Sequence, residues 1–555
     1  MKTDIEIAQE AWVRPICEVA AEAGIPDELF ENCGRYTGKV HLGLLERLAD
    51  RPDGRLVWVS AITPTPAGEG KTVTTIGLVQ ALARLGRRVM GTLRQPSLAP
   101  VFGVKGGATG GGRAQVYPMW DINLHFTGDI HAVGAAHNLL SAVLENHIYR
   151  GNALNIDTER ILLRKVIDVS ARELRSIVVG RGRNGGVEHE SGFDITAASE
   201  VSAILALSSS IDELKERLGR MVVAFTRDGR PVTALQLKCV GAMALLLKDA
   251  IRPNLVQTLE GQPVLVHGFP FANIAHGCNS VLALRMALKL ADVTVTEAGF
   301  GADLGLEKAF HIVCRGTGIR PDCVVLVASI RALKMHGGVP KERLAEPNAA
   351  ALERGLANLD RHLRTVRKFN VPAVVALNRF SQDTDEELEL VRRHCTALGV
   401  RCAVSTVYTD GGEGGVELAR AVLETMEKER GQLRFLYELD WSVKEKIHTI
   451  ATQVYGAGGV DYTEEAERAI RIIEDNGYGA LPICMAKTQF SVTDDPAAKG
   501  APMGWRLTVR EVRISAGAGF IVPLTGQITT IPGLPPVPAA ERMDIDGSGR
   551  ITGLS

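Results

Sequence analysis

With 555 residues and 45% apolar content, the chain exceeds a single ordinary core, and roughly two to four domains are expected. Its 63 basic and 64 acidic residues nearly cancel and no long Lys/Arg block stands out, which argues against a nucleic-acid partner and for a small molecule. Nine cysteines scattered from Cys17 to Cys484 without a C-x-x-C pair fit a reducing cytoplasm better than a disulfide framework or zinc site. The acids Asp4 and Glu6 stand where a signal peptide needs basic and apolar runs, and Val240–Leu247 is too short to span a bilayer, so no membrane is expected.

In chain order, the first element is the apolar strand Leu56–Ile62, which feeds the turn Pro64-Thr65-Pro66-Ala67-Gly68-Glu69-Gly70-Lys71-Thr72 and the helical stretch Val73–Leu85. A strand, a glycine turn and a helix N-terminus aim backbone N–H groups and a lysine at phosphate oxygens, so Lys71 is the candidate phosphate ligand. The match to G-x-x-x-x-G-K-S/T is imperfect, because Thr65 occupies the place of the first glycine. Further β-branched runs follow at Arg88–Leu93, Val264–His267, Asp292–Thr296, Val324–Ala328, Ala373–Leu377 and Ala403–Val407, with helical patterns such as Leu282–Leu290 and Asp385–Leu398 between several of them. Continuous apolar strands alternating with helices predict an α/β fold, a mainly parallel sheet with helices on both faces, with ligands at the carboxyl ends of the strands. The charged segment Lys341–Lys368 reads as exposed helix and a boundary, and beyond about Gly431 a helical region to Gly477 and then hairpin-like pieces read as a smaller domain.

Several constellations fall at strand ends. Arg94, in Thr92-Leu93-Arg94-Gln95-Pro96-Ser97, can fork onto a phosphate or carboxylate, and the glycine-dense 104–112 stretch lets backbone approach a ligand; a flexible surface loop is the competing reading. His125, His131 and His137 recur every six residues, a spacing that puts no metal triad on one face, whereas Asp129 is a candidate polar group for the cleft. Glu297 or Asp303, in a glycine-containing loop after a strand, can hold Mg²⁺ through water. Phe380 and Tyr408, each just beyond a strand, can clamp a flat heterocycle, although taken alone ordinary core packing is the leading reading. Asp544–Gly549 resembles the start of a calcium loop but has Ser555 where Glu belongs, so a turn between two short strands is expected instead.

Taken together, Thr63–Thr72, Asp121–Asp129, Lys248–Glu260, Pro270–Ser280, Thr296–Gly305, Arg331–Gly338 and Ser515–Pro523 closely resemble the formate–tetrahydrofolate ligase family, nearly end to end. The resemblance implies ATP-dependent activation of formate to formyl phosphate and its capture by tetrahydrofolate as 10-formyltetrahydrofolate. It also implies a homotetramer with a P-loop-type sheet, Mg²⁺, and stimulation by monovalent cations. It places ATP on residues 65–72 (Thr65, Pro66, Ala67, Gly68, Glu69, Gly70, Lys71 and Thr72), formyl phosphate on Lys71 and Arg94, and the pterin between Phe380 and Tyr408. With Asp129 these give a catalytic set of Lys71, Arg94 and Asp129, and a substrate set of Arg94, Gln95, Phe380 and Tyr408. The implied layout is an ATP-binding domain over 1–355, a second α/β domain contributing to the folate site over 356–430, and an α+β domain over 431–555.

The chain also departs from the family. Gln95 replaces an acid associated with the monovalent-cation site and the amine end of the folate, Trp120 a glutamate, Arg113 an uncharged or weakly basic residue, Phe269 a glycine, Ile514 a proline and Tyr408 a tryptophan. Three functions therefore stay open: a formate–tetrahydrofolate ligase with altered cation dependence, a ligase for another carboxylate or acceptor, and a nucleotide-binding protein without catalysis.

Overall fold

The computed structural model describes residues 2–66, 68–102, 108–526 and 528–554. Among them twelve strands form one sheet: β1 (Phe30–Asn32), β2 (Gly38–Val40), β3 (Arg55–Ala61), β4 (Val89–Leu93), β5 (Gly110–Gly111), β6 (Ala114–Tyr117), β7 (Asn254–Thr258), β8 (Pro263–Val266), β9 (Val293–Gly301), β10 (Cys323–Ala328), β11 (Ala373–Asn378) and β12 (Arg401–Ser405). Their order is β1-β2-β7-β8-β4-β9-β3-β10-β11-β12, with β6 on β7 and β5 on β6. From β8 to β12 every neighbour is parallel, whereas β1, β2, β6 and β7 extend one side antiparallel.

The parallel strands are the apolar runs, and β3 shows why they must be covered twice. Leu56 and Trp58 pack into one core with the helices Asp129–Tyr149 and Ala349–Lys368, while Val57 and Val59 pack into another with Leu78 and Leu82 of the helix Lys71–Arg84 and Leu418 of the helix Val416–Lys428. Successive strand residues point to opposite faces, so a strand apolar at every position is buried on both.

The segment Lys341–Lys368 differs from the expected exposed helix. Its helical part, Ala349–Lys368, buries Leu352, Leu356, Leu359, Leu363 and Val366 along one stripe, and its charges occupy the other face. It spans the position 355 boundary, and β11 and β12 continue the same sheet beyond it. Toward the carboxyl end, the strands Arg506–Ser515 and Phe520–Thr525 form an antiparallel hairpin with Gly459–Tyr462 parallel at its edge, over a core around Tyr437, Ile447 and Val454. Asp544–Ile545 and Ile551–Thr552 pair as the expected short hairpin, its turn closed by Asp546 Oδ1, which accepts the Ser548 and Arg550 amides at 2.8 and 3.0 Å. Among the described residues, no helix is long and apolar enough to cross a membrane.

Candidate active site at the carboxyl edge of the sheet

Because β4, β9, β3, β10, β11 and β12 are parallel neighbours, the segments that follow them emerge in a row on one edge, the edge at which open α/β sheets bind ligands. The turn after β3 is fixed first at Thr63. Its amide donates to Asn358 Oδ1 (3.2 Å), its hydroxyl meets His362 Nε2 (2.9 Å) and accepts Asn358 Nδ2 (3.0 Å), and its carbonyl meets His336 Nε2 (2.9 Å). Burial pulls both imidazoles down to about 4, so they act here as neutral hydrogen-bonding groups at neutral pH.

Beyond Thr63 the loop closes on itself, because Glu69 Oε1 accepts the Thr65 amide (2.7 Å) and hydroxyl (2.9 Å). Burial pushes the Glu69 carboxyl up to about 7, against the lowering effect of those Thr65 hydrogen bonds. Gly70 has φ +76° and lies so near Asn378 that a Cβ would come within 2.1 Å of its Nδ2; that amide donates to Glu69 O at 3.0 Å. Only glycine fits there. Lys71 then opens the helix and donates to Ala298 O (2.5 Å), with Glu297 Oε2 at 3.8 Å, while Thr72 Oγ1 donates to the same Glu297 oxygen at 2.9 Å. Burial lowers the Lys71 pKa and the Glu297 carboxylate opposes it.

On the other side of β9, Arg94 Nη1 donates to Pro270 O (3.1 Å), and a Cβ on Gly299 would lie 3.2 Å from Nη2 and 2.3 Å from Ala272 Cβ. Gly299 thus gives the guanidinium its room. Arg94 Nε, Gln95 Oε1 and Ser97 Oγ are buried without a hydrogen-bond partner among the described residues. A cavity of about 210 Å³ is lined by Glu69, Lys71, Thr72, Arg94, Gln95 and Glu297 and walled by Phe269, Phe271 and Phe300. Larger grooves exist, one of about 670 Å³ beside β12, but its charges are surface pairs such as Arg401 with Glu429. The smaller cavity is the one on which two cations and a hydroxyl–carboxylate pair converge.

The structure therefore brings Glu69, Lys71, Thr72, Arg94 and Gln95 together, with Thr65, Pro66, Gly68 and Gly70 in the loop behind them. Ala67 and residues 103–107 of the glycine-dense stretch lie outside the described residues. Asp129 is not on the cavity wall: it begins the helix Asp129–Tyr149 in a buried pair with Lys39 (2.9 Å) and accepts Asn254 Nδ2 at 2.8 Å. Phe380 lies under Arg331, whose Cζ is 3.4 Å from the ring centroid. Tyr408 donates to Asp4 Oδ1 at 2.9 Å and faces a separate cavity of about 660 Å³ shared with Lys2, Arg113 and Glu260; burial and the Asp4 carboxylate push its phenol up to about 12. Of the departures, Phe269 and Gln95 line the first cavity, Arg113 lies beside Tyr408, and Trp120 packs edge-on against Tyr117.

Glu297 and Thr72 present the paired oxygen donors that a hard cation such as Mg²⁺ takes. Asp303 does not, since Lys487 Nζ holds it at 3.2 Å in a buried pair. Among the described residues no cluster of three or more His, Cys, Asp or Glu forms a metal site. Sequence reasoning missed Arg331, the Ala298 carbonyl and the trio Asn358, His336 and His362. The last three lie some 300 residues from the loop they hold, and no local pattern announces them.

Fold and site together define an α/β protein with a small cavity, lined by Lys71 and Arg94, at the carboxyl edge of a mainly parallel sheet. The family model for formate–tetrahydrofolate ligase matches residues 2–555, essentially the whole chain, and the chain belongs to that family. Membership assigns it to the ligases of tetrahydrofolate one-carbon metabolism.

Proposed function

We propose that the protein condenses formate with tetrahydrofolate at the expense of ATP, through formyl phosphate. The observation that carries this reading is the convergence of Lys71, Arg94 and the Thr72–Glu297 pair on one small cavity. The turn at residues 65–72 acts as a phosphate loop, with Lys71 and Thr72 on the phosphates of ATP. Thr72 and Glu297 would hold Mg²⁺, which when bound supplies charge neutralisation on the phosphates. A formate oxygen attacks the γ-phosphorus, the bond to ADP breaks, and formyl phosphate forms between Lys71 and Arg94. The bridging amine of tetrahydrofolate then attacks the formyl carbon; phosphate leaves and the amine proton is released. Lys71 and Arg94 stabilise the charge that develops on both transferring groups, while the phenylalanine walls exclude water that would hydrolyse the acyl phosphate.

In this reading Phe380 and Tyr408 flank the pterin, and Asp129 acts indirectly, as a positioning residue through its pair with Lys39. The family resemblance further supports a homotetramer in the cytoplasm and a carboxyl-terminal domain beginning near residue 431. A second reading, ligation of another carboxylate, is favoured by Gln95 and Phe269 on the wall. The test is ADP release by the purified chain with tetrahydrofolate and either formate or acetate. Release that needs formate and ATP supports the proposal; release with acetate at equal rate moves the assignment to the second reading.

A further inference from the structure

Glu69 and Phe380 belong to different halves of the proposed site, and Arg331 stacks on the second while standing within electrostatic reach of the first. Arg331 is near the start of the helix Ile330–His336, which follows β10. On one side of β10 is β3, whose loop carries Glu69; on the other is β11, which ends at Asn378, just before Phe380. The Arg331 guanidinium covers one face of the Phe380 ring, its Cζ 3.4 Å from the centroid. The Phe380 amide is pinned by Asp383 Oδ2 at 2.8 Å, and Asp383 and, when it is ionised, Glu69 are carboxylates within electrostatic reach of Arg331. A direct bond parallels this bridge, because Asn378 Nδ2 donates to Glu69 O at 3.0 Å. With one ring face occupied, a flat ligand can stack only on the opposite face, and its plane follows the plane that Arg331 imposes.

We propose that Arg331 is a positioning residue that couples the phosphate loop to the acceptor wall: it orients the Phe380 ring for the pterin and transmits the state of the loop to it. This rests on the reading of Phe380 as part of the folate site. A planar guanidinium is needed for the stack, and a lysine ammonium does not replace it.

The test uses the full chain with Arg331→Lys, Arg331→Met, Phe380→Leu and the Arg331→Met/Phe380→Leu double variant. Calorimetry gives dissociation constants for tetrahydrofolate and for a non-hydrolysable ATP analogue, with thermal melting alongside. Arg331→Met is expected to weaken tetrahydrofolate binding about 5- to 30-fold, the scale of a cation–π contact, with a smaller effect on the ATP analogue. The double variant should bind tetrahydrofolate no worse than Phe380→Leu alone, since both remove one interaction. The ATP analogue should tighten tetrahydrofolate binding in the unsubstituted chain and fail to do so in Arg331→Met. Arg331→Lys, which keeps the charge, should still lose folate affinity, and it decides the matter if Arg331→Met does not fold. Folate affinity within about two-fold of the unsubstituted chain in both Arg331 variants, or losses that simply add in the double variant, overturns the proposal. An unsubstituted chain that binds ATP but not tetrahydrofolate overturns the functional reading and this proposal with it.

Discussion

Four residues on the cavity wall have separable consequences. Lys71→Ala removes the cation that neutralises charge on the transferred phosphoryl group and should abolish formate-dependent ADP release, whereas Arg94→Ala should lower the rate by roughly 10² to 10³, the scale for one preorganised donor at a developing anion. A rise confined to the Michaelis constant for ATP would make Arg94 a nucleotide anchor instead. Gln95 is buried with Oε1 unpartnered among the described residues, and where the family has an acid it offers a neutral amide. Potassium or ammonium should therefore stimulate this protein little, and Gln95→Glu should restore stimulation; strong potassium dependence of the unsubstituted chain would contradict that. Glu69 titrates from about 7 in the fold against its ordinary 4.5, so the protonated folded form is the favoured one. Its contribution to stability is full below pH 4.5 and is lost as pH rises through 7. Glu69→Gln should remove that slope, making the variant gain melting temperature relative to the unsubstituted chain between pH 5 and 8; a constant difference across that range would mean Glu69 is not held neutral.

At the level of elements, the loop over residues 63–72 depends on a helix far away in the chain. Asn358 and His362, both on the helix Ala349–Lys368, hold the Thr63 hydroxyl, and Asn358 Nδ2 also donates to Gly500 O at 2.7 Å. Thr63→Val keeps the shape but leaves His362 Nε2 and one of the two Asn358 Nδ2 hydrogens without a partner, a loss on the order of 1–3 kcal/mol per group. The expected result is a lower denaturation midpoint and a raised Michaelis constant for ATP; an unchanged midpoint would show that the hub does not bear on the loop. This helix is also the one whose sequence misleads. Its many Arg and Lys residues suggest a solvated rod, and the apolar stripe at Leu352, Leu356, Leu359 and Leu363 shows only when the spacing is followed through them. Six of the seven parallel strands were legible because an apolar run buried on both faces needs no partner to be recognised, whereas the edge strand β12 is half-buried and begins at Arg401, two residues before the expected run Ala403–Val407. By contrast β1, β2 and β5 are two or three residues long and exist only by pairing, so their sequences carry no periodicity to read.

Over the whole molecule, the edge of the sheet turns sequence-distant motifs into one site. Arg94, Lys71, Arg331 and Phe380 follow four strands and Glu297 lies inside a fifth, β9, rather than in the loop after it; the five strands are neighbours in space and scattered in the chain. The motifs around Lys71 and Arg94 were readable because strand-turn-helix geometry is local. The ring pair was readable only as two aromatics after two strands, and the structure gives each its own contact, Arg331 for Phe380 and Asp4 for Tyr408. The carboxyl-terminal segment reaches the same region through the buried pair between Lys487 and Asp303.

The central claim is that formate is activated as an acyl phosphate, and the fate of its oxygen tests this most directly. When formate attacks the γ-phosphorus and the amine later expels phosphate from the formyl carbon, one formate oxygen remains on the phosphate. With ¹⁸O-labelled formate, ATP and tetrahydrofolate, mass spectrometry of the released phosphate should show one labelled oxygen per molecule, and none with Lys71→Ala because turnover stops. Unlabelled phosphate released at the rate of ligation would contradict the formyl phosphate route.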